Sequence, residues 1–450
     1  MARASLSFVC NACGAESLKW QGQCPACGEW NSLAQSTPAR ASRGIPRPGQ
    51  GPQRLGAVPG ALERLATGQE ELDRVMGGGI VRGSVTLLGG DPGIGKSTLL
   101  LQVAAHAANS ATVLYASGEE SVSQVALRAD RLEIAAPQLE VVAENTLEAI
   151  LALATERQCP LMIVDSIQTI QSEQVTGSAG AVGQLRECTA ELVRFAKSSG
   201  TAVLIIGHVT KEGTLAGPRM LEHLVDTVLY FESDAGSRYR MVRATKNRFG
   251  AVNELAFFAM TASGLREVRN PAAIFLARAP EPAAGSVVTV AREGGRPLLI
   301  ELQGLVDRMR FGAPRRIAQG LDSNRVAMLL AVMSRHAQLS LQEYDVFVNV
   351  VGGIQITETG CDLPVMLALA SSLKERALPT SLVCFGEIGL TGEVRPVAYG
   401  EERLQEAQKQ GFRVAIVPRE NAPRKPLETL RVIPVGRVDA ALQELFSLSQ

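Results

Sequence analysis

Aromatic side chains are scarce in this 450-residue chain: 12 Phe, five Tyr and two Trp make up 4% of it. So few large rings, set among abundant Ala, Gly, Leu and Val, point to helices packed on parallel strands. Net charge is missing as well, since 45 basic side chains balance 45 acidic ones. No global field therefore draws the chain to a polyanion or a membrane, and any such surface must be local. Long apolar runs are also absent; none reaches the roughly 18 uncharged residues of a membrane-spanning helix. The N-terminus lacks the basic-then-apolar order of a signal peptide, so a soluble, cytoplasmic protein is expected. The length implies about two to four domains.

What is present begins with glycine. Gly89-Gly90-Asp91-Pro92-Gly93-Ile94-Gly95-Lys96-Ser97-Thr98 follows the apolar run Val85–Leu88 and precedes Leu99–Ala105. Strand, glycine loop and helix in that order form a phosphate-binding loop. The glycines let the backbone curl until several N–H groups face one anion, and the following helix dipole adds positive potential. The nucleotide-binding set is thus Gly90, Asp91, Pro92, Gly93, Ile94, Gly95, Lys96, Ser97 and Thr98. Lys96 reaches the β- and γ-phosphates of ATP, and Ser97 supplies a hydroxyl to Mg²⁺.

Four of the eight cysteines crowd into two C-x-x-C pairs, Cys10/Cys13 and Cys24/Cys27, each followed by glycine. Four thiolates at that spacing close a tetrahedron around Zn²⁺; the rival reading is two disulfides or a redox pair. Residues 1–34 form this ribbon, with metal binding supplying its folding free energy and Trp20 and Trp30 as its main apolar contacts. Residues 35–56 are a Pro- and Arg-rich linker, either a solvated tether or a track for phosphates. The remaining cysteines, Cys159, Cys188, Cys361 and Cys384, read as buried thiols in a reducing compartment.

Residues 57–269 carry the loop and further strands. Ala111–Ser117 ends in Gly118-Glu119-Glu120, where a carboxylate beside the phosphates orients the attacking water; Glu119 is assigned, with Glu120 as competitor. Leu161–Val164 ends in Asp165, the Walker B pattern, which holds the Mg²⁺ shell through water next to Ser97. Ile167–Gly183 is polar and aperiodic, a candidate functional loop. A further strand, Thr201–Gly207, ends at His208, either a γ-phosphate sensor or a structural residue. The glycine-bearing loop that follows carries Lys211 and Arg219, candidates for contact with a phosphodiester backbone. Lys246-Asn247-Arg248-Phe249-Gly250 is either an ordinary basic turn or the source of a finger delivered to a neighbouring subunit's nucleotide, and Lys246 and Arg248 are also candidate DNA contacts. Residues 270–450 mix strands and helices without regular βαβ alternation, as an α+β domain does.

Taken together, the four-cysteine ribbon, the loop 90–97, Asp165, the 246–250 pentapeptide and the C-terminal part resemble, over essentially the whole chain, the RadA (Sms) family of bacterial DNA repair ATPases. That resemblance implies an α/β protein with an N-terminal zinc ribbon, a RecA-like P-loop ATPase core and a C-terminal α+β Lon-protease-like domain. It also implies a DNA-dependent ATPase of recombinational repair that acts on single-stranded and branched DNA, assists RecA and drives branch migration as a hexameric ring. Composition and spacing alone stop at a zinc-bearing P-loop ATPase. A Lon-like peptidase is the second reading, but the place resembling Lon's serine motif reads Thr359-Gly360-Cys361-Asp362-Leu363, and the lysine's place reads Ala398-Tyr399-Gly400-Glu401-Glu402-Arg403. Neither carries the needed residue, and Cys361 has no base near it in sequence. A third reading is a RecA-like ATPase that remodels protein.

Overall fold

The computed structural model describes residues 7–10, 15–17, 19–36, 62–208, 220–233, 239–276, 282–309 and 312–448. The chain divides into two compact units, Met1–Val268 and Arg269–Gln450. In the ribbon, β1 (Ser7–Cys10) pairs antiparallel with β2 (Glu16–Ser17) on one side and β3 (Leu33–Ser36) on the other. Among the described residues its buried apolar cluster is Cys10, Cys24 and Leu33, with Phe8 and Ala15 against them. Trp20 and Trp30, expected to form this core, are instead 58% and 68% exposed. Small cysteine-centred knuckles have no interior wide enough to enclose an indole. Most of the linker, residues 37–56, lies outside the described residues.

Further along the first unit, β4 (Arg64–Leu65) pairs with β5 (Ile80–Val81) beside α1 (Glu70–Val75). The main sheet then takes β6 (Val85–Gly90), β7 (Val113–Ser117), β8 (Leu139–Ala143), β9 (Leu161–Asp165), β10 (Ala202–His208) and β11 (Thr227–Glu232), all parallel. Three antiparallel strands extend it: β12 (Tyr239–Asn247), β13 (Leu255–Thr261) and β14 (Gly264–Glu267). The strand order is β14-β13-β12-β11-β6-β10-β9-β7-β8. The helices are α2 (Lys96–Ala107), α3 (Val122–Arg131), α4 (Leu147–Glu156), α5 (Val182–Ser199) and α6 (Met220–Leu224).

Successive strand residues enter different cores. Leu88, Tyr115, Ile163 and Ile206 pack in one cluster with Leu99 and Val103 of α2. Their neighbours Leu87, Leu114, Met162 and Ile205 pack in another with Leu185 and Leu192 of α5. A two-residue alternation between two covered faces makes the central strands largely apolar runs, and their carboxylates and imidazole stand where the strands end. The sheet's carboxyl edge is where chemistry can sit.

In the second unit, α7 (Ala272–Phe275) precedes β15 (Ser286–Glu293), β16 (Arg296–Arg308), β17 (Arg316–Gln319), α8 (Ser323–His336) and β18 (Tyr344–Val350). Then come α9 (Asp362–Leu373), β19 (Leu382–Cys384), the short antiparallel pair β20 (Glu387–Ile388) and β21 (Val394–Arg395), α10 (Gly400–Lys409), β22 (Val414–Pro418), β23 (Arg431–Val435) and α11 (Val438–Ser447). Its seven-stranded sheet runs β17-β18-β16-β15-β19-β22-β23 with parallel and antiparallel pairs mixed. Every residue of α9 from Asp362 to Ser371 is buried. Among the described residues no helix is long and apolar enough to cross a membrane.

Candidate functional site

The glycine loop spans the gap between β6 and α2 at the carboxyl edge of the sheet. Gly95, the N-cap of α2, has φ +117°, which a side chain rarely tolerates. At Gly90 a Cβ would lie 2.6 Å from the Phe231 carbonyl oxygen on β11, so only glycine lets the strand pass. No side chain caps α2 and no acid stands in its first turn. Its leading N–H groups and the positive end of its dipole are left for an anion. Asp91, Pro92 and Gly93 are exposed, Ile94 is buried, and Ser97 and Thr98 are half-buried on the first turn.

Lys96 is buried beneath the loop. Its Nζ donates to the carbonyl oxygens of Gly90 at 2.7 Å and Asp91 at 2.9 Å, and lies 3.3 Å from Nδ1 of His208. Burial lowers its pKa to about 8, against the opposing pull of Asp165, Glu119 and Asp91. The ammonium thus rests on weak acceptors in a place that favours an anion.

Two carboxylates converge on it because β7 and β9 are neighbours with Ser117 opposite Asp165. Asp165 ends β9, and Glu119 lies two residues past the end of β7. Glu119 Oε1 accepts a hydrogen bond from the Ser166 hydroxyl and lies 2.9 Å from Nε2 of His208. The His208 contact, then the Ser166 bond, hold its carboxyl at about 2 against the opposing effect of burial. Glu120 turns away and pairs with Arg128 of α3. The structure therefore brings Lys96, Glu119 and Asp165 together with His208 and separates Glu120 from them. Sequence reasoning missed Tyr115, whose hydroxyl donates to Asp165 Oδ2 at 2.6 Å. Its only signal is an aromatic residue amid aliphatic neighbours, two positions before a strand ends.

Lys246 and Arg248 do not join this cluster. Lys246 stands opposite Val228, which stands opposite Leu87, and Asn247 is level with Thr86 at the start of β6. The glycine loop follows the other end of that strand, roughly 13 Å away along it. Lys246 Nζ donates to the carbonyls of Glu222 at 2.6 Å, Val225 at 2.7 Å and His223 at 3.3 Å, closing the end of α6. Burial and the nearby Arg248 lower its pKa. Asn247 donates to the Val75 carbonyl and accepts from the Phe249 amide, tying the pentapeptide to α1. Arg248 is half exposed, and its Nη1 lies 3.3 Å from Oδ1 of Asp226. Lys211 and Arg219 lie outside the described residues.

At the ribbon, the sulfurs of Cys10, Cys24 and Cys27 lie within 4.8 Å of one another, and those of Cys10 and Cys27 are 3.7 Å apart. Sulfurs bound tetrahedrally to zinc at about 2.3 Å stand about 3.8 Å apart, so the cluster fits that ion. Cys13, the expected fourth ligand, lies outside the described residues. In the second unit Cys361 is buried at the entry to α9, and burial pushes its thiol far up from the ordinary cysteine range. The groups acting on it are Glu358, Arg403, Thr289 and Asp362, none of them a histidine or lysine. Asp362 is locked to Arg325, whose Nε donates to it at 2.9 Å, and Arg403 is buried against Glu358.

Three family models match separate parts of the chain. A family model described as AAA domain matches residues 52–214, one described as rubredoxin metal binding domain matches 8–35, and one described as subunit ChlI of Mg-chelatase matches 322–421. Among solved structures, a KaiC-like protein of Pyrococcus horikoshii OT3 covers 46% of this chain and all of its own, with a TM-score of 0.40 and 17% identity. The DNA repair protein RadA of Pseudomonas aeruginosa is 53% identical over 99% of this chain and 100% of its own length. RadA of Escherichia coli is 50% identical over 97% of each chain, and that of Bacillus subtilis 46% identical over 98% and 99%. With a zinc ribbon, a RecA-like P-loop ATPase core and relatives this similar from end to end, the chain belongs to the RadA family of DNA repair proteins.

Proposed function

We propose that the protein is a DNA-stimulated ATP hydrolase of recombinational repair. It binds single-stranded and branched DNA in the cytoplasm, assists RecA recombinase, and drives branch migration as a homohexameric ring. The observation that carries the ATPase reading is the meeting of Lys96, Glu119 and Asp165 around an uncapped helix end. Lys96 leaves the carbonyls of Gly90 and Asp91 for the β- and γ-phosphates, and its proton is held more firmly beside that anion. Ser97 and Asp165 offer hard oxygen donors that would hold Mg²⁺, and the ion would supply charge neutralisation at the phosphates. Glu119, kept ionised by His208 and Ser166, orients the attacking water. His208 touches both Lys96 and Glu119 and ends β10, so it relates the state of the nucleotide to the segment carrying Lys211 and Arg219.

Arg248 and Lys246 act on the neighbour's nucleotide, where their charge stabilises the transferring phosphoryl group. Their distance from their own loop supports a role in trans, and the half-exposed Arg248 is the readier of the two. Lys246 must first give up three carbonyls. A peptidase is disfavoured by the buried, protonated Cys361 and by the ion pairs that occupy Asp362 and Arg403. The deciding experiment measures ATP turnover with and without single-stranded DNA, with Lys96→Ala as control. Stimulation by DNA that Lys96→Ala abolishes is expected. Turnover indifferent to DNA favours a protein-remodelling ATPase, and casein cleavage in its place favours a peptidase.

A further inference from the structure

Tyr115 is fully buried at the middle of β7, the strand next to the edge strand β8. A phenol in that position must find a partner or leave a polar group stranded. Its cross-strand partners, Val141 on β8 and Ile163 on β9, are apolar, and its hydroxyl reaches Asp165 Oδ2 at 2.6 Å. In that contact the phenol is the donor and the carboxylate the acceptor. Asp165 is itself 4% exposed and is the strongest opposite charge acting on Lys96. A carboxylate so placed, with one oxygen pinned from below, cannot rotate about its Cβ–Cγ bond without losing that bond.

We infer that Tyr115 is a positioning residue for Asp165, pinning one carboxylate oxygen so that the other remains turned to the water shell of a divalent cation. This rests on the nucleotide-site reading above. Outer hydrogen bonds of this kind orient metal-binding carboxylates and are felt as metal affinity rather than as nucleotide affinity.

The test titrates Mg²⁺ against binding of a fluorescent, non-hydrolysable ATP analogue to the full chain. Tyr115→Phe removes the hydroxyl and keeps the ring that packs with Ile163 and Leu99. The Mg²⁺ concentration for half-maximal binding is expected to rise about tenfold. Analogue binding in EDTA should not change. In an Asp165→Asn background the same substitution should add no further shift, because the carboxylate it orients is gone. An unchanged Mg²⁺ midpoint, an equal loss in EDTA, or a full additional shift on Asp165→Asn would each overturn the inference. If the wild-type chain binds no analogue with or without Mg²⁺, it is the nucleotide-site reading that fails.

Discussion

Lys246 offers a sharp test because the structure gives it work inside its own subunit. Its ammonium closes the end of α6 through the carbonyls of Glu222, Val225 and His223, two of them at 2.6 and 2.7 Å. Lys246→Met keeps the aliphatic stem and deletes the charge, leaving those carbonyls to water. Hydrogen bonds from a charged donor are worth about 1.5–3 kcal/mol each when shielded. The side chain is half-buried, so the sum is discounted to about 2 kcal/mol. For a unit of this size that lowers the melting temperature by about 4–8 °C. Differential scanning fluorimetry reads the shift, and hydrogen exchange of the amides between Glu222 and Asp226 localises it. Nucleotide affinity should be spared. Unchanged melting and unchanged exchange would show that the three carbonyls do not need the ammonium, and would leave Lys246 only a role across the interface.

Three further outcomes are expected. Glu119→Gln should abolish turnover yet retain ATP, whereas Glu120→Gln should remain active with a small loss of stability from the Arg128 pair; the reverse pattern in single-turnover assays would exchange their roles. Cys27→Ala should release zinc, measured by a colorimetric chelator, and loosen only the ribbon, because so little apolar surface is buried there; unchanged zinc content would refute the ligand assignment. Nucleotide affinity should fall as pH rises above about 8, where Lys96 loses its proton. The stability term has the opposite sign. With a folded pKa of about 8 below the unfolded 10.5, the empty protein binds fewer protons than the unfolded chain across that window and gains stability from this group as pH rises. Fluorescence titrations of ATP analogues from pH 7 to pH 10 check the first statement, and chemical denaturation of the nucleotide-free protein checks the second.

Much of the geometry of the candidate site was legible because its signals are local. Gly90, Gly95 and Lys96 are fixed by backbone curvature over a few residues, and Asp165 is marked by the apolar run before it. The edge strand β8 was not legible, since it is only half-buried and carries Glu140 within an otherwise apolar stretch. That Glu120 is held by Arg128 was not legible, because the partner lies eight residues away on a helix face. Tyr115 reads as core from sequence, because nothing in a strand announces which partner its hydroxyl meets across 50 residues. The exposed indoles of Trp20 and Trp30 reverse the usual inference from size to burial, because a ribbon organised by sulfur has no interior to offer them.

Asp226 serves two masters. Its Oδ2 accepts the amide of Val85, where the strand leading to the glycine loop begins, while Oδ1 faces the guanidinium of Arg248. A neighbour that drew Arg248 outward would leave the buried Asp226 with the Val85 amide and the field of Lys246, and that imbalance would pull the arginine home once the attraction next door faded. The recoil would be felt at the root of the very strand whose tip carries the glycine loop, so the position of that arm would be registered through the sheet itself.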